Sequence, residues 1–202
     1  MGEPFIGSEA VAAGVVSHSQ LRRKYTRVCR DVYVSEGTEL THAVRARAAW
    51  LWSRRRGVIA GFSAAGLYGS EWVDATRPVD IIHDNRHALP GLQIWGDRPE
   101  ADEFELIDGV AVTTPARTAL DLACWYPSTT AVAAIDALTR VTDVKMADAE
   151  LVAARYRDVV DSSVHASRSI SSTRVPNLRR RHGCAWFWCR PVCHGRRPRF
   201  RW

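Results

Sequence analysis

Apolar and polar positions change their period several times along the chain, and each change marks a new element. Ser8 to Ala13 reads as a short helix, with Ser8 as N-cap, Glu9 in the favourable first turn and Gly14 as the stop. Ser17-His18-Ser19-Gln20 follows and fits a capping box, in which Ser17 and Gln20 satisfy each other's free backbone donors. The helix it opens runs through Leu21 to Lys24, and two short helices on a tight link give a helix-turn-helix outline. From Thr26 to Val34 the pattern alternates and is rich in β-branched residues around Arg30-Asp31, which predicts a small hairpin, or wing.

Beyond the hairpin, Leu40, Val44, Ala48 and Leu51 mark one apolar face of a longer helix that ends near Gly57. Ser63 to Gly69 reads as a compact helix capped by Ser63 and closed by Gly69 in the left-handed region. Val79 to His83 and Leu92 to Trp95 are strands, and Phe104 to Ile107 with Val110 to Thr113 form a hairpin around Asp108-Gly109, a favoured two-residue turn. Thr114-Pro115 starts a helix that buries Ala119, Leu122 and Ala123 and stops before Pro127. Further helices cover Thr130 to Arg140 and Met146 to Tyr156. No solenoid-type repeat is visible. The expected fold class is α+β: a short winged-helix-like head over 1–36, then a mixed α/β domain over 37–157.

Charge changes the picture at the far end. Residues 1–160 hold 18 Lys or Arg against 21 Asp or Glu, whereas 161–202 hold 10 Arg against Asp161 alone. That stretch has no Lys and no Glu but three of the five Cys and three of the eight Trp. With suitable codons the neighbouring reading frame restores acidic residues and an amphipathic pattern there, so 158–202 is expected to be a disordered or misread tail without a domain. The pI of 9.4 then carries no argument for nucleic-acid binding. No stretch approaches the roughly 18 apolar residues of a membrane helix, and an N-terminus with Glu3 and Pro4 is unlike a signal peptide. A soluble cytoplasmic protein with reduced Cys29 and Cys124 is expected.

Candidate chemistry concentrates in the head. His18, Ser19, Gln20, Arg22, Arg23 and Lys24 crowd two turns of helix, and Arg27 and Arg30 continue the positive charge into the hairpin. Arg grips guanine or phosphate, Gln bonds adenine, and hairpin arginines hold backbone phosphate, so these eight positions are the expected contacts to double-stranded DNA. The competing reading is a solvated helix face. Arg54-Arg55-Arg56 belongs to structure, as cations at a helix C-terminus. Asp80 and Asp84 flank a strand but lack the further acidic groups or Lys of a metal-dependent nuclease. Asp121 and Asp136 have no His or Ser at a catalytic spacing, and Thr114 to Thr118 is explained by capping. Cys184, Cys189, Cys193 and His194 are zinc-ligand types without paired CxxC knuckles, so no metal, no other cofactor and no catalytic residue is expected.

Several segments together resemble the bacterial AbiEi-like, abortive-infection antitoxin-type proteins: Pro4 to Ala10, Gln20-Leu21-Arg22, Asp31 to Val34, Ser63 to Gly69, Ile82 to Asn85 and Val112 to Leu122. The likeness covers Pro4 to Arg157. In the subfamily it most resembles, longer proteins continue into a domain similar to very-short-patch-repair endonucleases, and the hidden-frame segments look like the start of that continuation. The resemblance implies a winged-helix N-terminus, a mixed α/β middle domain and a DNA-binding repressor or antitoxin-type regulator, here truncated by a frameshift near Arg157. The implied partners are double-stranded DNA and a cognate toxin, with no oligomeric state implied; the nuclease residues would lie beyond the break, so the chain is not expected to be an enzyme. Two rivals stay open: a non-catalytic remnant of a restriction-endonuclease-like fusion protein, and a toxin-neutralising interaction module that does not touch DNA.

Overall fold

The computed structural model describes residues 2–167, apart from 72, 86 and 88. Cys184, Cys189, Cys193 and His194, and the tail from residue 168 onward, lie outside the described residues. The chain opens with β1 (Phe5–Ile6), α1 (Gly7–Ala12), α2 (His18–Lys24), β2 (Tyr25–Cys29) and β3 (Val32–Ser35). The three strands form an antiparallel sheet in the order β1-β3-β2. The capping box forms as the sequence predicts: Ser17 N donates to Gln20 Oε1 at 2.7 Å and Gln20 N donates to Ser17 Oγ at 3.3 Å. Arg30-Asp31 makes the hairpin turn, with Asp31 at φ 63°.

The first helix begins differently from the prediction. Pairing of Phe5 and Ile6 with β3 keeps the backbone extended through Ile6, so α1 starts at Gly7 and Ser8 is not its N-cap. The carboxylate of Asp31 takes that task from across the sheet, accepting from Ser8 N at 3.0 Å and from Ser8 Oγ at 2.6 Å. Gly7 sits so close to the sheet that a Cβ there would lie 2.6 Å from the Tyr33 ring.

Next comes α3 (His42–Trp52), capped by Thr41, whose hydroxyl accepts from Val44 N. Its core face is His42, Ala46, Ala48 and Ala49, whereas Leu40 lies before the helix and is exposed, so the expected Leu40 face is corrected. The helix stops at Trp52, and Arg54 and Arg55, both at positive φ, turn the chain sharply.

The remaining elements are β4 (Val58–Ile59), α4 (Gly61–Leu67), β5 (Val79–Ile82), β6 (Leu92–Trp95), β7 (Phe104–Ile107), β8 (Val110–Thr113), α5 (Pro115–Trp125), α6 (Ser128–Val141) and α7 (Met146–Ser167). Five strands form a mixed sheet in the order β6-β5-β4-β8-β7, in which β5 is parallel to β6 and β4 to β8 while the other two pairings are antiparallel. The result is an α+β fold. One face of this sheet buries Ile59, Val79, Ile81, Val110 and Val112 against Ala46 and Ala49 of α3 and Ala64 of α4. α3 also packs on all three strands of the first sheet, so one helix serves both.

Three local expectations in this half need revision. α4 starts at Gly61 and leaves Ser63 inside, fully buried, instead of at the cap. Ala123 lies on the exposed side of α5, whereas Ala119 and Leu122 are buried. α7 runs on to Ser167, past the Tyr156 end that its apolar spacing gives. The turn at Asp108-Gly109 has both residues at positive φ, as a tight hairpin requires.

Candidate nucleic-acid interface

α2 turns Leu21 inward, where it is 6 % exposed, and presents His18, Ser19, Arg22, Arg23 and Lys24 to solvent. These positions fall four apart, His18 with Arg22 and Ser19 with Arg23, which places each pair on one side of a helix. The chain passes without a linker from Lys24 into Tyr25 of β2, so the cations continue directly along the edge of the small sheet to exposed Arg27 and Arg30. All eight expected positions therefore occupy one continuous stretch of chain, and Gln20 alone among them is half-buried.

Among the described residues, no carboxylate pairs with Arg22, Arg23, Lys24, Arg27 or Arg30. The contrast with nearby cations is direct. Arg54 reaches Asp31 at 2.8 Å and Arg55 reaches Glu9 at 2.7 Å, which ties the end of α3 to α1 and to the hairpin turn. Arg54 and Arg55 are thus structural, as expected, but through ion pairs and not through the helix terminus, which they have already left. Hydrogen bonding to Arg55 holds the Glu9 carboxyl below its usual range, against the opposing effect of burial. Unpaired cations crowded on so few residues repel one another, and an anionic ligand relieves that repulsion.

Two residues of the set have work inside the protein. The Oε1 of Gln20 accepts from the Ser17 backbone, and the Ser19 hydroxyl lies 2.9 Å from that of Ser17. Bidentate bonding of adenine needs both the oxygen and the nitrogen of a Gln amide. Gln20 meets that need only by leaving the cap.

Buried polar groups lie elsewhere, in the second half of the chain. Asp80 is fully enclosed on β5 and not flanking it; Tyr126 Oη donates to both of its oxygens, Trp95 Nε1 to one and Phe62 N to the other. Burial pushes its pKa up to about 6 despite these donors. Ser63 Oγ accepts from Asp80 N at 2.9 Å and lies 2.8 Å from His42 Nε2. Ser63 has no solvent exposure and His42 is buried, with its pKa lowered by burial to about 4; out of reach of any substrate, the pair is core packing and not a nucleophile with its base.

A third group gathers around Arg117, which is 3 % exposed. It donates to Asp121 through Nε at 2.7 Å, and through Nη1 to Glu103 and Tyr156 Oη, both at 2.6 Å. Arg117 thereby joins α5, the segment before β7 and α7. The i,i+4 spacing of Arg117 and Asp121 was a legible signal, but Glu103 and Tyr156 come from distant positions and were not. No group of His, Cys, Asp or Glu among the described residues is arranged to hold a metal ion, and none of their helices is long and apolar enough to cross a membrane.

The model of a family described as the AbiEi antitoxin C-terminal domain matches residues 60–168. The match begins at the cap of α4 and takes in the other four strands of the large sheet and α5 to α7, while β4, like α2 and β2, lies before it. No curated protein and no solved structure matches.

Proposed function

We propose that this chain, which belongs to the AbiEi antitoxin family, is a DNA-binding regulator of the antitoxin type that acts without catalysis. The observation that carries the reading is the row Arg22, Arg23, Lys24, Arg27 and Arg30, exposed and without acidic partners on α2 and β2. A strand, two short helices and a hairpin in sheet order β1-β3-β2 follow the plan of a winged helix, whose second helix enters the major groove. An α-helix such as α2, about 10 to 12 Å across with its side chains, fits a major groove about 12 Å wide. Arg22 and Arg23 read or grip the duplex, Lys24, Arg27 and Arg30 hold phosphates, and Gln20 fixes the helix start.

The experiment is a titration of duplex DNA with the protein at several salt concentrations, wild type against Arg22→Ala/Arg23→Ala. Fewer counterions are released by the variant, so its affinity falls and its log–log salt slope shrinks by about 2. Equal affinity and slope in the two proteins would remove α2 from the interface.

The family match confined to 60–168 favours one second reading, a module that neutralises a toxin through the large sheet and its helices with no part for DNA. It predicts that Arg22→Ala/Arg23→Ala protects cells from the toxin as well as the wild type does. Truncation of a longer nuclease-fused protein by a frame change near Arg157 is part of the same proposal, supported by the composition of 161–202. The matched region and α7 run to 168 and Ser167, some ten residues past that point. Resequencing the codons for Glu150 to Thr173 decides it: an intact frame gives one long product, a true shift gives a protein of 22.6 kDa.

A further inference from the structure

Among the described residues the large sheet ends at β7, and no further strand pairs with that edge. Asp108-Gly109 is a two-residue turn, so Ile107 and Val110 form a hydrogen-bonded pair and the ladder phase of the hairpin follows from it. Thr114 N donates to Glu103 O at 2.9 Å, four residues further from the turn on β7's side and in the same phase. Glu105 is bonded inward to β8 by the same alternation, and the N–H and C=O of Phe104 and Leu106 point away from it. These two residues are also the exposed apolar ones of the strand, at 36 % and 70 %, and Glu105 between them is exposed too. Leu106 stands opposite Ala111, whose cluster includes Trp95 and Trp125.

Edge strands are usually blunted by Pro, by Lys, by a bulge or by a covering segment. β7 has none of the first three, and its register with β8 is unbroken. The opposite edge, β6, is at least partly closed, by a bridge between Leu89 and Leu92. Charge discriminates among the strands that could join β7. Arg47, Arg117 and Arg155 hold Asp108, Glu103 and Asp102, whereas Glu100 and Glu105 have no cation among the described residues. A second copy joining edge to edge would bring these carboxylates together, which is unfavourable for directly opposed strands.

We propose that β7 is a strand-addition site for a partner protein whose docking strand carries Lys or Arg between apolar residues. The proposal rests on the antitoxin reading, and within it identifies the surface and chemistry by which a partner is held. Main-chain bonds at Phe104 and Leu106 supply the attachment, their side chains supply apolar contact, and Glu100 and Glu105 select a basic strand.

The probes are two synthetic eight-residue peptides, Val alternating with Lys in one and with Glu in the other, added to the full chain. Binding is followed by NMR shifts and by exchange of the Phe104 and Leu106 amides. The Lys peptide is expected to slow exchange at these two amides by about tenfold, and the Glu peptide to leave it unchanged. Leu106→Pro removes one outward N–H at an edge position that tolerates Pro, and Leu106→Lys adds a repelling charge; both should weaken Lys-peptide binding by about tenfold or more. Val132→Lys, at an apolar side chain 60 % exposed on α6, should not. Equal protection by the two peptides, no protection at Phe104 and Leu106, or undiminished binding by a folded Leu106→Pro or Leu106→Lys overturns the proposal. So does a wild-type dimer that Leu106→Lys abolishes. DNA titration of the same samples keeps the results separate: loss of DNA binding in every form counts against the regulator reading, while the peptide result still decides the strand.

Discussion

At the scale of single residues, the largest electrostatic stakes lie away from the basic row. Asp80 has its pKa raised in the folded protein, so its contribution to stability is fully present below the ordinary value of 3.8 and is lost as pH rises through about 6. His42 runs the other way, with a pKa lowered to about 4, so its contribution is lost as pH falls from 6.5 toward 4. The two oppose each other between about pH 4 and 6, and the stability profile there should be flatter than either alone produces. Tyr126 donates to both Asp80 oxygens, a bond worth most when the carboxylate is ionised. Tyr126→Phe should therefore cost about 2 kcal/mol at pH 8 and less at pH 4, measured by urea unfolding at each pH. Arg117→Met should cost about 3 to 5 kcal/mol at neutral pH, because Glu103 and Asp121 would stay buried without their cation. A loss below about 1 kcal/mol in the same assay would show that those carboxylates take up protons instead. Of these partnerships only Arg117 with Asp121, four apart on one helix, was legible in the sequence, where Asp80 looked like a strand flank and Arg117 like part of a capped helix start. The others join residues more than ten positions apart, and local spacing carries no information at that range.

At the scale of elements, local chemistry was a better guide. The Ser17–Gln20 box, the turns at Arg30-Asp31 and Asp108-Gly109, and the start of α5 at Pro115 all appear where the residues place them. Each is decided by atoms within four residues. β1 and β4 were not visible, because two-residue strands have no period of their own and exist through their partners β3, β5 and β8. The face of α3 was misread because its core contacts are alanines and a histidine, side chains that an apolar count ranks below Leu40 and Leu51. At seven residues α2 is too short to persist alone, and it depends on its cap and on Leu21. Ser17→Ala should cost about 1 kcal/mol in denaturant unfolding. It should also weaken DNA binding without changing the salt slope, since no phosphate contact is removed. A changed slope would place Ser17 itself on the phosphate backbone.

At the scale of the molecule, the basic row follows the β2 edge of the small sheet, the β7 edge ends the large sheet, and the two differ in charge balance. One offers cations without acids, the other two carboxylates, Glu100 and Glu105, without a cation among the described residues, and the proposed partners differ accordingly. The contrast was half legible: the basic cluster stood out as a run of residue types, but the open edge required knowing which strand ends the sheet. A resemblance read from short motifs spanning Pro4 to Leu122 led to the same family as the match over 60–168. Between the extremes stands α3, which lends one surface to the small sheet and another to the large one. A gene fusion that cut the chain at residue 36 would leave the small sheet without its backing and the large sheet with a foreign face exposed. If the proposed DNA-binding role holds, exchange of specificity between relatives should therefore carry the first 55 residues as a unit, keeping α3 and the Arg54–Asp31 and Arg55–Glu9 pairs with the small sheet.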